Sequence, residues 1–99
     1  MRNYEIMLVL RSDLGGEEAT TAQLDRIQGF IRDNGGSVSN MEQTQPWGRR
    51  RLAFEIDDQQ EGYYVLAHFE LNPDRIDELE RNLKLTEPIL RYLLVRADE

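Results

Sequence analysis

Three consecutive arginines, Arg49, Arg50 and Arg51, follow Trp47 and Gly48 in a chain that is otherwise acidic. The arginine side chain is a planar fork of five donors, which suits phosphate groups and interfaces better than the point charge of lysine. An aromatic residue beside arginines is also a common composition at the centre of protein interfaces. This stretch therefore indicates binding of a partner; the alternatives are packing of Trp47 over a bent strand and protection of an edge strand from aggregation.

The residue types that carry catalysis are few or poorly placed. His68 is the only histidine and lies in the middle of an apolar strand pattern, where a surface or packing role is expected. The loop containing Gly15 and Gly16 is flanked by Asp13 and Glu17, which have the wrong charge for an anion at a helix N-terminus. The chain has no cysteine, hence no thiolate metal site. We expect no enzyme activity, no metal and no cofactor.

Length and charge limit the class of protein that this chain can be. The 99 residues predict a single domain over 1–99, and a hydrophobic share of 39% is enough for a compact core. No apolar run approaches the ~20 residues of a membrane span, so we expect a cytoplasmic protein that does not bind membranes. The chain has 12 Lys+Arg against 19 Asp+Glu, a net charge of −7, and Lys84 is its only lysine. A preference for arginine over lysine is also typical of GC-rich genomes. The role of the arginines must therefore be inferred from their positions in the fold.

Alternating and helical apolar patterns predict six elements in the order β-α-β-β-α-β. The second predicted strand is interrupted by Pro46, Trp47 and Gly48, and a proline is tolerated there only on an edge strand or at a bulge. Asn72 and Pro73 form a good start for the second helix. The predicted ranges are strands at 2–12, 37–56, 63–71 and 89–96, and helices within 12–36 and 72–84.

With right-handed crossovers, this order gives an α+β, ferredoxin-like fold. Its four-stranded antiparallel sheet has the strand order 4-1-3-2, with two helices on one face. The first and third strands are the most apolar, as central strands should be. The helix-free face is expected to carry Met7, Val9 and Tyr64, which either dock a partner or are tolerated apolar surface. Self-association through the edge strand stays open.

The basic residues divide between the two predicted layers. Five lie on the helices and are outweighed by nearby acidic residues. The other seven lie on strands or at strand ends, and Arg2 and Arg96 should converge because their strands are antiparallel neighbours. The stretch Glu61–Val65 is similar to an RNA-recognition motif, but Glu61 replaces a basic residue and Val65 replaces the stacking aromatic. Base stacking on the sheet is therefore not expected, and Tyr63 and Phe69 are predicted to belong to the core.

The segment GRRRLAFEI at 48–56 resembles the signature of the bacterial small-subunit ribosomal protein six family. MRNYEIMLVL, EGYYVLAHFEL and ILRYLLVR are similar to three further strands of that family, and the resemblance spans residues 1–97. Phe54 stands where tyrosine is usual, and Asp57 stands where a basic residue is common.

The resemblance implies a structural protein with no small-molecule substrate. Such proteins bind the central domain of small-subunit ribosomal RNA as a heterodimer with ribosomal protein eighteen during assembly. The interface with the partner protein is predicted at Trp47, Arg49, Arg50 and Arg51. The residues predicted to contact the RNA backbone are Arg2, Asn3, Arg91 and Arg96. The other hypotheses are a stand-alone RNA-binding or regulatory module on the same fold and, third, an acylphosphatase-like enzyme.

Overall fold

The computed structural model describes residues 1–43, 48–56 and 59–97. In chain order its strands and helices are β1 (Arg2–Arg11), α1 (Glu17–Asp33), β2 (Ser37–Glu42), β3 (Gly48–Ile56), β4 (Gln59–Leu71), α2 (Ile76–Lys84) and β5 (Ile89–Arg96). A short 3-10 turn, Pro73–Arg75, leads into α2. No helix in these described ranges is long and apolar enough to cross a membrane.

The sheet has the predicted ferredoxin-like arrangement with one difference in strand count. β5 pairs with β1, β1 with β4, and β4 with β2, all antiparallel. The second predicted strand is divided into β2 and β3. Both pair with the same edge of β4, with β2 opposite residues 66–70 and β3 opposite residues 59–64. The 13 residues of β4 are long enough to hold both. The predicted ferredoxin-like fold is therefore confirmed, with five strands where four were predicted; Pro46, the residue expected at the break, lies outside the described residues.

Both helices cover the same face of the sheet. Alternate residues of β1 and β4 point toward them, as the period of two in a strand requires. Tyr4 and Phe69 stack with ring centroids 5.5 Å apart. The apolar residues spaced along one side of each helix are buried, Leu24, Ile27 and Ile31 on α1 and Leu79 and Leu83 on α2, whereas Ile76 is only half-buried. The buried cluster comprises Tyr4, Ile6, Leu8, Leu10, Leu24, Ile27, Ile31, Val65, Ala67, Phe69, Leu71, Leu79 and Leu83.

The end of α1 is tied to the start of α2 by one buried amide. The Asn34 Nδ2 group donates to the carbonyl of Phe30 at 2.8 Å, and Asn34 Oδ1 accepts from the Arg75 guanidinium at 2.7 and 3.1 Å. Gly35 follows with a φ of +86°, the left-handed conformation that ends many helices. Asn72 caps the 3-10 turn as predicted, because its Oδ1 accepts from the Asp74 N–H at 2.9 Å.

α2 is also bonded to the edge strand β5. The Tyr92 hydroxyl donates to Glu80 Oε1 at 2.9 Å. Partial burial, together with the hydrogen bond to the Glu80 carboxylate and its charge, raises the pKa of Tyr92 to about 12 from its ordinary 10.0. The folded protein therefore holds the phenol proton more tightly than the unfolded chain does.

This proton linkage predicts a pH dependence of stability with a definite sign. The contribution of Tyr92 should be complete below pH 10.0 and should be lost as the pH rises from there toward 12. Chemical denaturation between pH 8 and 12 should show the free energy of unfolding falling less steeply in Tyr92→Phe than in the wild type. Parallel pH profiles for the two proteins would contradict the linkage.

One glycine is required by packing on the face that the helices leave open. Val9 is fully buried although it lies on that face. A Cβ added at Gly62 would lie 2.6 Å from Val9 Cγ1 and 3.1 Å from Leu52 Cδ2. These two side chains therefore lie over Gly62, and Leu52 of β3 helps to bury Val9. Because valine is stiff at χ1, it has little freedom to move aside.

Gly62→Ala should lower the free energy of unfolding by about 1–3 kcal/mol, as overpacking does elsewhere. The matched control is Gly29→Ala, because Gly29 is helical and an added Cβ meets only the end of the Arg32 side chain at 4.0 Å. That variant should gain roughly 0.5–1 kcal/mol of stability. Urea unfolding of both variants measures the contrast, and an unchanged stability in Gly62→Ala would show that Val9 and Leu52 move aside.

Candidate nucleic-acid and protein interfaces

The acidic and basic residues occupy different layers of the molecule. The helical segments 17–33 and 73–84 carry eight acidic and five basic residues. Within them Arg81 pairs with Glu78 at 3.9 Å, Arg26 lies over the Phe30 ring, and Arg75 bonds Asn34. The helix layer is net acidic, as predicted. The remaining arginines lie on β1, β3 and β5, at the two ends and two edges of the sheet.

The three consecutive arginines of β3 do not point the same way. Arg50 pairs with Gly62, whereas Arg49 and Arg51 pair with Tyr63 and Glu61. Arg50 therefore lies on the opposite face of the sheet from Arg49 and Arg51. The Arg49 guanidinium donates to the Ser12 carbonyl at 3.3 Å. Arg51 lines a polar depression of about 280 Å³, whose other residues are Ser12, Gln59, Gln60 and Glu61.

Arg50 lies on the open face, by which we mean the sheet face that the helices do not cover. Its guanidinium is stacked over the Tyr64 ring, 5.3 Å from the centroid. A guanidinium held over an aromatic ring is partly preorganised and keeps its donors available at the ring's edge. Gly48, at the start of β3, has a φ of +96° and lies close to the Gln43 carbonyl. Trp47, which the sequence predicts at this interface, lies outside the described residues.

The four residues predicted for RNA contact fall in two places. Arg96 pairs with Tyr4, and the Ala97 N–H donates to the Asn3 carbonyl at 2.8 Å, so that Arg2, Asn3 and Arg96 lie at one end of the β1–β5 pair. Arg91 is five residues before Arg96, roughly 17 Å away at the usual rise of a strand. It pairs with Val9 and lies on the open face. Arg2 and Arg96 therefore lie at the same end of the sheet, as expected for ends of antiparallel neighbours, and Arg91 lies apart from them.

The open face carries basic, apolar and acidic side chains, and the apolar and acidic groups overlap because Val95 pairs with Glu5 and Glu42 pairs with Leu66. The pairing of β1 with β4 and β5 aligns its residues in rows, because directly paired residues lie on the same face. We call three groups on it the basic end (Arg11, Arg50, Arg91), the apolar strip (Met7, Leu66, Leu93, Val95) and the acidic end (Glu5, Glu42, Glu70). Tyr64 lies beside the basic end.

His68 lies at the acidic end, between two carboxylates. Its Nδ1 is 3.7 Å from Glu5 Oε1, and its Nε2 is 3.5 Å from Glu42 Oε2. These carboxylates come from β1 and β2, so nothing near His68 in the sequence indicated them. Within residues 1–43, 48–56 and 59–97, no group of histidine, cysteine, aspartate and glutamate side chains could hold a metal ion.

The loop after β1 is held together by Asp13. Both of its carboxylate oxygens accept from the Arg11 guanidinium at 3.0 Å, and Gln59 Nε2 lies 3.3 Å from one of them. The hydrogen bond from Arg11 is the main reason why the pKa of Asp13 lies below its usual value. The carboxylate therefore stays charged at neutral pH beside Gly15 and Gly16, which disfavours an anion in this loop.

The sheet lacks the aromatic pattern of an RNA-recognition domain at the positions compared. Tyr63 and Val65 both lie on the helix-covered face; Val65 is fully buried, and the Tyr63 hydroxyl lies 3.3 Å from Gln43 Oε1. Phe69 is buried as predicted. The aromatic side chain at this level of the open face is Tyr64, which Arg50 already covers. Among the residues and side chains that the structure describes at this level, no second exposed ring joins Tyr64 to form the pair of stacking rings that such domains use.

Comparison with known proteins agrees with this architecture. A model of the family "Ribosomal protein S6" matches residues 3–96. "Small ribosomal subunit protein bS6" from Moorella thermoacetica is 44% identical over 99 residues, covering 100% of this chain and 97% of that protein. The protein of the same name from Thermoanaerobacter pseudethanolicus is 43% identical, with both chains fully covered.

A solved structure is similar over nearly the whole fold. The crystal structure of 30S ribosomal protein S6 from Thermotoga maritima superposes with a TM-score of 0.86 at 27% identity, covering 97% of this chain and 87% of the other. The family match, the relatives and the fold agree with the resemblance of segment 48–56. The chain belongs to the ribosomal protein S6 family.

Proposed function

We propose that this protein, a structural protein of the small ribosomal subunit, binds the central domain of the subunit's RNA as a heterodimer with ribosomal protein eighteen. The observation that carries the proposal is the division of sheet arginines between two places. Arg2 and Arg96 lie at one end of β1 and β5, whereas Arg50 and Arg51 lie on the opposite edge strand. Two separate basic sites suit a protein that holds RNA and another protein at the same time.

The end formed by Arg2, Asn3 and Arg96 is the proposed contact with the RNA backbone. Arginine forks and amide side chains bind phosphate and sugar oxygens, which position a protein without reading base sequence. Neighbouring strands hold this end in place through the bond from the Ala97 N–H to the Asn3 carbonyl. Arg91, the fourth residue predicted for RNA, lies away from this end on the open face, in the row of Val9 and Tyr64.

The edge strand β3, together with Trp47 just before it in the sequence, forms the proposed contact with ribosomal protein eighteen. Arg49, Arg50 and Arg51 are exposed, and Trp47 precedes them in sequence. A net charge of −7 disfavours tight RNA binding by this chain alone. A basic partner therefore supplies charge that the RNA requires, while the acidic helix layer faces away from both.

RNA binding should depend on the partner and on Arg2 and Arg96. A central-domain RNA fragment should bind the heterodimer and should not bind either protein alone with comparable affinity. Across a salt series, Arg2→Gln with Arg96→Gln should reduce the slope of log affinity against log salt by roughly 1.5 to 2, because two phosphate contacts are lost. The control is Arg81→Gln with Lys84→Gln, which removes equal charge from α2. Tight RNA binding by this protein alone would favour a stand-alone RNA-binding module instead.

Heterodimer formation should depend on β3. Arg50→Glu with Arg51→Glu should abolish the complex with ribosomal protein eighteen in isothermal titration calorimetry, because reversed charges repel the partner groups that the arginines contact. Arg81→Glu with Lys84→Glu changes the net charge equally on the helix layer and should leave the affinity unchanged. Equal losses in both pairs would show that only net charge matters and would contradict a site on β3.

A further inference from the structure

One asparagine of this chain is followed directly by glycine, a pair with high chemical reactivity. Deamidation of asparagine begins when the backbone nitrogen of the next residue attacks the side-chain amide carbon, and a glycine there has no side chain to hinder the attack. Among the asparagines of the chain, only Asn34 precedes a glycine, Gly35. The sequence therefore places a reactive pair at the end of α1, where the structure decides whether the two groups can meet.

The folded structure keeps these two groups apart. Asn34 is only 8% exposed, and its side chain is held by the Arg75 guanidinium, which donates to Oδ1, and by the Phe30 carbonyl, which accepts from Nδ2. The backbone ψ of 10° at Asn34 turns the Gly35 nitrogen away from the side chain, and that nitrogen already donates to the Arg32 carbonyl at 2.9 Å. Attack therefore requires the last turn of α1 to unwind and the amide to leave Arg75.

We propose that Asn34 is a modification site gated by the contact between the two helical segments: it deamidates when the end of α1 separates from Arg75, and not in the closed molecule. In the open form the Gly35 nitrogen gives its proton to solvent and bonds to Asn34 Cγ, while the bond from Cγ to Nδ2 breaks and ammonia leaves. Water then opens the cyclic imide at either carbonyl, which gives aspartate or isoaspartate at this position. The reaction consumes water, releases ammonia and needs neither RNA nor a protein partner.

The two products differ in whether the native junction can form again. Aspartate keeps an oxygen acceptor for Arg75 and loses only the donor to the Phe30 carbonyl. Isoaspartate instead inserts an extra carbon into the main chain just before Gly36, where there is no room for it. Even a Cβ added at Gly36 would contact the Glu70 carbonyl and lie 2.9 Å from Leu71 Cδ1. A chain that stays open is therefore converted in part to a form that cannot restore the connection from α1 to β2.

The gate is tested by following Asn34 in the full chain with peptide mass spectrometry, in mildly alkaline buffer with and without urea. Deamidation should be at least tenfold slower in the folded protein, because only opened molecules react. Arg75→Gln should raise the folded rate at least threefold. The matched control is Arg81→Gln, which removes an α2 arginine that pairs with Glu78 and should leave the rate unchanged. Equal rates with and without urea, or an unmodified Asn34 in urea, would overturn the proposal.

Two further measurements separate a local gate from general unfolding and test the products. Gly62→Ala weakens the fold at the other end of β4, so it should accelerate deamidation less than Arg75→Gln does; an equal or larger effect would show that only global unfolding exposes Asn34 and would contradict the gate. After treatment in urea, the aspartyl and isoaspartyl chains can be separated by chromatography and refolded. The aspartyl chain and Asn34→Asp should unfold cooperatively in urea, whereas the isoaspartyl chain should unfold at a lower urea concentration. The same midpoint for both chains would overturn the role assigned to Gly36.

Discussion

The pairing of β1 with β4 is the interaction on which the other features depend. It runs without a break from Arg2 opposite Leu71 to Arg11 opposite Gly62, and it holds the two central strands in one register. Side chains alternate between the faces with a period of two, so a one-residue slip of β1 would send Leu8 to the open face, and a slip of β4 would do the same to Val65. The same register determines which arginines meet on the open face. Core and binding surface are thus two results of one set of hydrogen bonds.

The elements were predictable because their signals are local. The Leu24, Ile27 and Ile31 stripe predicts α1, and Asn72 followed by Pro73 predicts the start of the second helical segment. The apolar runs of the first and third predicted strands identify the two central strands, and α+β topology follows from their order. In each case the required residues are close in sequence, and burial in the structure agrees with them.

The arrangement of the candidate site was less predictable because it depends on pairing between distant residues. Arg49, Arg50 and Arg51 form one motif in the sequence, yet the strand alternation sends Arg50 to one face and its neighbours to the other. Arg91 and Arg96 lie on one short strand, yet they end on different faces and at different ends. The split of the second predicted strand likewise depends on β4, whose length allows two strands to pair along one edge. Composition cannot show any of these results.

Glu5 and Glu42 beside His68 are a further case, since their approach requires three strands to be aligned. The period of two along β4 does place His68 on the face opposite Val65 and Phe69. It carries no information about which residue of β1 or β2 will lie opposite. The registers of β2 with β4 and of β1 with β4 determine those neighbours, and the first of these registers includes a shift between Val38 and Asn40.

The charge distribution of the protein suits assembly with two partners better than binding to one. Exposed arginines on both edge strands, β3 and β5, discourage edge-to-edge pairing between copies of the free protein. They become useful contacts when a partner with complementary charge covers them. Under the proposed function, RNA at Arg2 and Arg96 and a protein at β3 bind at separate places on the sheet, so the two partners do not compete. In the proposed complex, a basic protein held on β3 raises the local positive charge beside the RNA, and the heterodimer gains affinity because two weak contacts are linked.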